Sequence, residues 1–380
     1  MSAIRFHSVN PENLKDYYQE FDNIDFVLSA LSRSFVSGTI RLNGEIVVDY
    51  PVTNPATTAL DYKVAYDGFV GSHCHVDRID TSADLIGNIE NISYYGRLQS
   101  SKAQSSLTKE DLFNSGYVCE NRVPSEQLAN AMLKGMVDNT KAAAAYNPAL
   151  TSPLSFSIKL DFCLNSLIGE SFLPYAKTGD IRVKLTLARN ISVLFGDANI
   201  GGSISYKLKN LRMSYESVPD TGKYAPQYTM RVKTAIKSQI SSTFANVSTK
   251  VPMVCDSFWA TAILQSEEDN PLVNGMQNER IPNLTELQIL WNDAMNQQLT
   301  YSLISEEEII YNYIKAVAKQ VGPNNAGLNT LASNHGWGMG LLFGQLVDLS
   351  KSKLGLNITS GVQVGAPYSV YLFFSGVLSI

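Results

Sequence analysis

Charge is scarce in this chain. Of its 380 residues only 17% are Asp, Glu, Lys or Arg, against the ~25% usual in soluble domains. The net charge is -5 and no dense Lys/Arg tract is present, which argues against nonspecific DNA binding by counterion displacement. Long apolar runs are missing too. Gly336 to Val347, the most apolar glycine-bearing stretch, falls short of the ~20 residues that cross a bilayer. The N-terminus, MSAIRFHSVNPENLKDYY, lacks the apolar centre of a secretion signal. Cysteine is sparse, with Cys74, Cys119, Cys163 and Cys255 far apart and no CxxC pair. Reduced core thiols are therefore expected.

Chemical motifs are also thin. His73-Cys74-His75 is the one dense cluster of metal-type ligands, but on a strand only the two histidines share a face. A structural zinc site needs four ligands and a catalytic one usually three, so two histidines on a sheet face or loop is the better reading. Ser350 to Lys353 has the Ser-x-x-Lys spacing of some acyl-transfer enzymes, yet it sits among turn formers and reads as a solvated loop. The glycines at 336, 338, 340 and 344 lack G-x-G-x-x-G spacing and are better suited to close approach of strands or subunits. Glu267-Glu268-Asp269 precedes a turn, and Glu306 to Glu308 is explained by helix capping. The sequons at Asn246 and Asn357 match by chance in so Asn-, Ser- and Thr-rich a chain. No residue is put forward as catalytic, cofactor-binding or metal-ligating, and no cofactor is expected.

What the chain has is aromatic content, with 19 Tyr and 15 Phe, and period-2 patterning. Phe156, Ile158, Leu160, Phe162 and Leu164 alternate with polar neighbours. Ile181, Val183, Leu185 and Leu187 do the same, with Arg182, Lys184 and Thr186 between them. Such alternation buries one strand face and leaves the other polar. A third run, Ile204, Tyr206, Leu208, changes phase to Leu211, Met213, Tyr215, which predicts a β-bulge at Lys209-Asn210.

Along the chain, Asn10-Pro11 reads as the start of a short helix through Tyr18. Strands follow at Phe35 to Leu42 and Glu45 to Val52, separated by the hairpin dipeptide Asn43-Gly44. The apolar phases of the two arms do not match across a two-residue turn, so a loop of different length is favoured. Strand-like residues continue from Tyr62 to Ile92, and Ser125 to Ala145 carries a helical stripe. Pro219 to Gly222 breaks the pattern, after which strands restart at Tyr228 to Ile236 and Phe258 to Leu264. Ser305 and Glu308 form a capping box before an apolar stripe of Ile309, Tyr313, Ala316 and Val317. Tyr368 to Ile380 closes the chain as a strand. Each half thus runs strands, helix, strands. The fold class expected is all-β with a few helices, as two consecutive sandwiches: a segment with a short helix over 1–30, then domains over 31–218 and 219–380.

Several segments carry a family resemblance. Gly71-Ser72-His73 through Arg78-Ile79-Asp80, Ile89-Glu90-Asn91-Ile92 and Tyr94-Tyr95-Gly96-Arg97-Leu98 resemble the early strands of double jelly-roll major capsid proteins of polinton-like viruses and virophages. Leu173-Pro174-Tyr175, Ile181 to Leu187 and Tyr206 to Tyr215 are similar to the end of the first jelly roll in that family. The resemblance is carried mainly by residues 60–100 and 150–218. It implies a structural, non-enzymatic protein of the virion capsid, made inside the host cell. Homotrimeric capsomers of nearly hexagonal outline would tile an icosahedral shell around double-stranded DNA. Partners would be further copies of the chain and penton and minor capsid proteins, with no specific nucleic-acid contact; an inner membrane is left open. The N-terminal helix would lie at the capsomer base. The alternative reading is a virion-surface or cellular glycan- or receptor-binding sandwich, with a β-sandwich hydrolase ranked below it.

Overall fold

The structure is a computed structural model that describes residues 4–49, 64–106, 117–122, 154–196, 204–220, 222, 224–292, 298–318 and 337–380. In the first half the strands are β1 (Arg5–Val9), β2 (Asn23–Leu28), β3 (Arg33–Val36), β4 (Arg41–Asp49), β5 (Val64–Tyr66), β6 (Val76–Ala83) and β7 (Gly87–Ile92). They continue as β8 (Leu154–Lys159), β9 (Leu167–Ile168), β10 (Phe172–Pro174), β11 (Ile181–Leu187), β12 (Leu194–Gly196) and β13 (Ser205–Pro219). The second half has β14 (Thr229–Ile240), β15 (Phe244–Thr249), β16 (Val254–Leu264), β17 (Glu286–Asn292), β18 (Gln298–Leu303), β19 (Met339–Asp348), β20 (Lys353–Thr359) and β21 (Tyr368–Ser379).

The pairing reveals a duplication. Met213 and Ser214 pair with both β1 and β4, and Ser217 with both β1 and β3. β1 therefore lies on one side of β13, while β3 and β4 run end to end along the other. With β3 and β4 counted as one interrupted strand and the short β5, β9, β10 and β12 set aside, the first half forms sheets β1-β13-β4-β8 and β2-β11-β6-β7. The second half forms β14-β21-β16-β19 and β15-β20-β17-β18. Numbered within each half, both read 1-8-3-6 and 2-7-4-5, the antiparallel two-sheet wiring of a jelly roll. Helix α1 (Tyr95–Ser106) and helix α2 (Glu306–Ala318) occupy equivalent places, between the fifth and sixth strands.

The core explains the apolar runs. β11 alternates as expected, with Ile181, Val183, Leu185 and Leu187 buried and Arg182 and Lys184 exposed. β16 and β21 are instead buried on nearly every residue. Phe258, Ala260, Leu372 and Phe374 fill the core of the second roll, whereas Trp259, Ile263, Tyr371 and Phe373 point into a cluster shared with the first. A sheet covered on both faces needs no polar side, which is why these strands lack alternation. Each large side chain so buried contributes roughly 1.5–3 kcal/mol. Where backbones meet, glycine is required: a Cβ on Gly376 would stand 1.8 Å from the Val254 carbonyl oxygen, beside the register shift of β16 at Cys255/Ser257.

Several sequence expectations need correction. Residues 11–18 form no helix. Their polar groups are taken up by neighbouring strands: Glu12 N–H donates to the Asp25 carbonyl (2.8 Å), and Tyr18 and Leu208 exchange two backbone bonds (2.8 Å each). Tertiary pairing overrides the local cap signal. Asn43-Gly44 is not a turn but lies inside β4, facing the bulge of β13, whose register shifts between Lys209 and Arg212. Asn210 there has φ 51°, the left-handed region that Asn tolerates. The apolar run from Leu154 leaves strand geometry after Lys159 and ends in a helical turn at Cys163–Asn165. The expected helix over Ser125 to Ala145 lies outside the described residues. The helix after Ser305 is present: Glu308 N–H donates to Ser305 Oγ (3.2 Å), and the Glu308 carboxylate reaches back to Ile304 N–H (3.3 Å) rather than to Ser305.

Candidate functional site: the inter-roll seam and the exposed N-terminal face

The motifs considered in the sequence are dispersed. His73, Cys74 and His75 lie on a buried 3₁₀ turn, Gly71–His75, not on a strand. His73 Nε2 sits 3.2 Å from Glu120 Oε2, and its Nδ1 is 3.2 Å from the Tyr95 hydroxyl. His75 donates from Nδ1 to the Ser72 carbonyl (3.2 Å). Burial lowers the His75 pKa to about 4. Each histidine thus has its own surroundings, and among the described residues no three His, Cys, Asp or Glu side chains converge as metal ligands. All four cysteines are free thiols; Cys74, Cys163 and Cys255 are buried and Cys119 is half-buried. Ser350 to Ser352 form a turn around Asp348, and Lys353 begins β20. Glu268 is buried and receives Lys237, Ser369 and Tyr371. Burial pushes its carboxyl up, but these three donors outweigh it and bring it to about 2. Asn246 and Asn357 bond to each other across β15 and β20 (2.6 Å).

The densest polar chemistry lies where the rolls meet, in residues the motif reading passed over. Asp161, just after β8, accepts from Lys233 Nζ of β14 (2.7 Å), from Lys102 of α1 and from Gln99 (3.2 Å). Burial raises the Asp161 carboxyl, but the ammonium groups of Lys102 and Lys233 outweigh it and hold it well below the usual range. Glu90 of β7 accepts the backbone N–H of Lys233 (2.6 Å) and of Cys163 (2.7 Å). Beside it, Trp259 Nε1 donates to Ser101 Oγ (3.0 Å) and Ser100 Oγ to the Met276 carbonyl (2.7 Å). Arg97 donates to the Gly275 and Gln277 carbonyls while its guanidinium lies 4.5 Å over the Tyr371 ring. This set ties α1 of the first roll to the second. A cavity of only about 40 Å³ remains there, bordered by Asp77, Arg97, Glu268 and Tyr371, too small for an organic substrate. The sequence carried a signal for one of these residues: Asp161 is a charge set between Leu160 and Phe162.

The outer surface differs. Ile4, Phe6, Leu14, Phe21 and Leu31 are between 60% and 69% exposed. Leu14 also lines a shallow cleft of about 670 Å³, with Asn10, Glu45, Phe156 and Arg212. Single exposed apolar residues are ordinary; five within residues 4–31 suit contact with another chain.

No family model matches the chain, and no curated protein matches its sequence. Solved structures do. The Faustovirus major capsid protein aligns over 100% of this chain and 90% of its own, with TM-score 0.61 and 7% identity. A quasi-atomic model of the PBCV-1 virus capsid aligns over 100% and 95%, with TM-score 0.59 and 11% identity. The chain has the double jelly-roll fold of viral major capsid proteins. The mavirus major capsid protein, at TM-score 0.52 and 8% identity over 98% of this chain and 88% of its own, extends the likeness to a virophage. At such identities the double jelly roll is shared as a fold.

Proposed function

We propose that this double jelly-roll protein is a major capsid protein, a non-catalytic building block of a virion shell. One observation carries the reading: both rolls, with the same wiring, align end to end with capsid proteins. The chemistry supports it. The seam fuses two sandwiches into one stiff body, its cavity is too small for a substrate, and the exposed apolar residues offer contacts to neighbours. Dividing the chain at 218/219 gives two sandwiches of similar breadth. Three copies then place six sandwiches around one axis, and units of that near-hexagonal outline tile an icosahedral shell around double-stranded DNA. Residues 4–31 meet adjacent copies or penton and minor capsid proteins. The protein resides in the virion and, before assembly, in the host cell. Negative-stain imaging of purified protein tests this. Triangular or hexagonal particles are expected; isolated two-lobed particles that bind a sugar would overturn it in favour of a glycan-binding sandwich.

A further inference from the structure

We propose that Glu90 is a proton-binding switch within the seam, stabilising the folded junction of the two rolls in mildly acidic medium. The inference does not depend on shell formation. It starts from how the seam distributes its charges. Two carboxylates, Glu90 and Asp161, face two ammonium groups, Lys102 and Lys233, yet both ammonium groups are bonded to Asp161. Glu90 receives the backbone N–H groups of Lys233 and Cys163 and the Cys163 thiol, none of them a cation, and is 3% exposed. A carboxylate so placed has lost its water without gaining a direct ion pair, the condition under which burial favours the neutral acid.

The groups facing Glu90 come from several elements. β14 brings Lys233, with Arg231 held by Asp256 of β16 at 2.9 Å. The segment after β8 brings Asp161 and the Cys163 thiol; Lys102 and the Tyr95 hydroxyl of α1 reach Asp161 instead. Burial raises the Glu90 pKa from 4.5 to about 7, against the pull of Lys233 and the two N–H donors, with Asp161 adding to the rise. Between these values the folded chain holds a proton that the unfolded chain lacks. Stability from this group is therefore gained as pH falls from about 7 toward 4.5 and lost as pH rises through 7. The full span corresponds to roughly 300-fold in the folding equilibrium.

Denaturant titrations of the full chain and of Glu90→Gln from pH 5 to 8.5 test this. The wild type is expected to gain stability relative to the variant on acidification, by roughly 75-fold between pH 8.5 and pH 5; parallel curves would overturn the proposal. Because a Gln amide sets an NH₂ against a backbone N–H, the variant could fail to fold. Infrared titration of a Glu279→Gln chain supplies the second readout, since Glu279, beside Glu267, also rises to about 7. A protonated-carboxyl band with a midpoint near 7 supports the switch. Absence of any such band above pH 6 refutes it.

Discussion

Replacing Asp161 by Asn probes the seam most severely. The substitution keeps shape but turns one accepting oxygen into an NH₂ donor and removes the charge shared by Lys102 and Lys233, whose side chains are 10% and 1% exposed. Removing one partner of a buried pair strands its counter-charge and costs about 3–5 kcal/mol, where an exposed pair is worth under about 1 kcal/mol. Lys102 limits the loss. Burial already lowers its pKa to about 8, against the pull of Asp161, so shedding its proton at pH 7 costs only about 1.4 kcal/mol. At pH 9.5 most of that charge is gone in the native chain as well, and the penalty should shrink by about 1 kcal/mol. Chemical denaturation at one protein concentration, at pH 7 and 9.5, gives both numbers, with Lys15→Ala of the exposed Lys15–Asp22 pair as control. A penalty at pH 7 no larger than that control would refute the seam as the tie between rolls.

Two further predictions concern packing and surface. Gly376→Ala forces a methyl group onto the Val254 carbonyl and should lower stability by about 3 kcal/mol or more, whereas Gly344→Ala, with nothing within 4 Å, should leave thermal unfolding nearly unchanged. The pair Phe6→Ser and Leu14→Ser should leave the unfolding of the isolated chain within about 0.5 kcal/mol yet reduce higher-order assembly in light scattering. Unchanged assembly would remove this face from the contacts. Deletion of residues 1–20 would instead destabilise the first roll, because it strips β1 from β13 and Tyr18 from Leu208.

Much of the fold was legible in the residues, for reasons that are local. The alternation of β11, the phase change at Lys209-Asn210 and the cap at Ser305 each state a structure within a few positions. Asn10-Pro11 and Asn43-Gly44 are equally local signals, yet they misled, because strands from elsewhere in the chain claimed those backbones: β2 and β13 for residues 11–18, β8 and β13 for Asn43. The seam was the least legible part. Lys102 and Asp161 are 59 positions apart, and Lys233 and Glu90 are 143 apart, so no window of sequence contains both partners. Only Asp161, a charge between Leu160 and Phe162, hints at such a residue, and it does not name its counterpart. The HCH cluster shows the converse: three ligand-type residues in a row whose two histidines a 3₁₀ turn directs to different partners, Glu120 and Tyr95 for His73 and the Ser72 carbonyl for His75.

The claim that two fused jelly rolls form one unit of a shell is tested most directly by the mass of the purified protein in solution. Sedimentation should give a stable particle of three times the 41.7 kDa chain, unchanged on dilution. A single species at the mass of one chain, across the same concentrations, would contradict it.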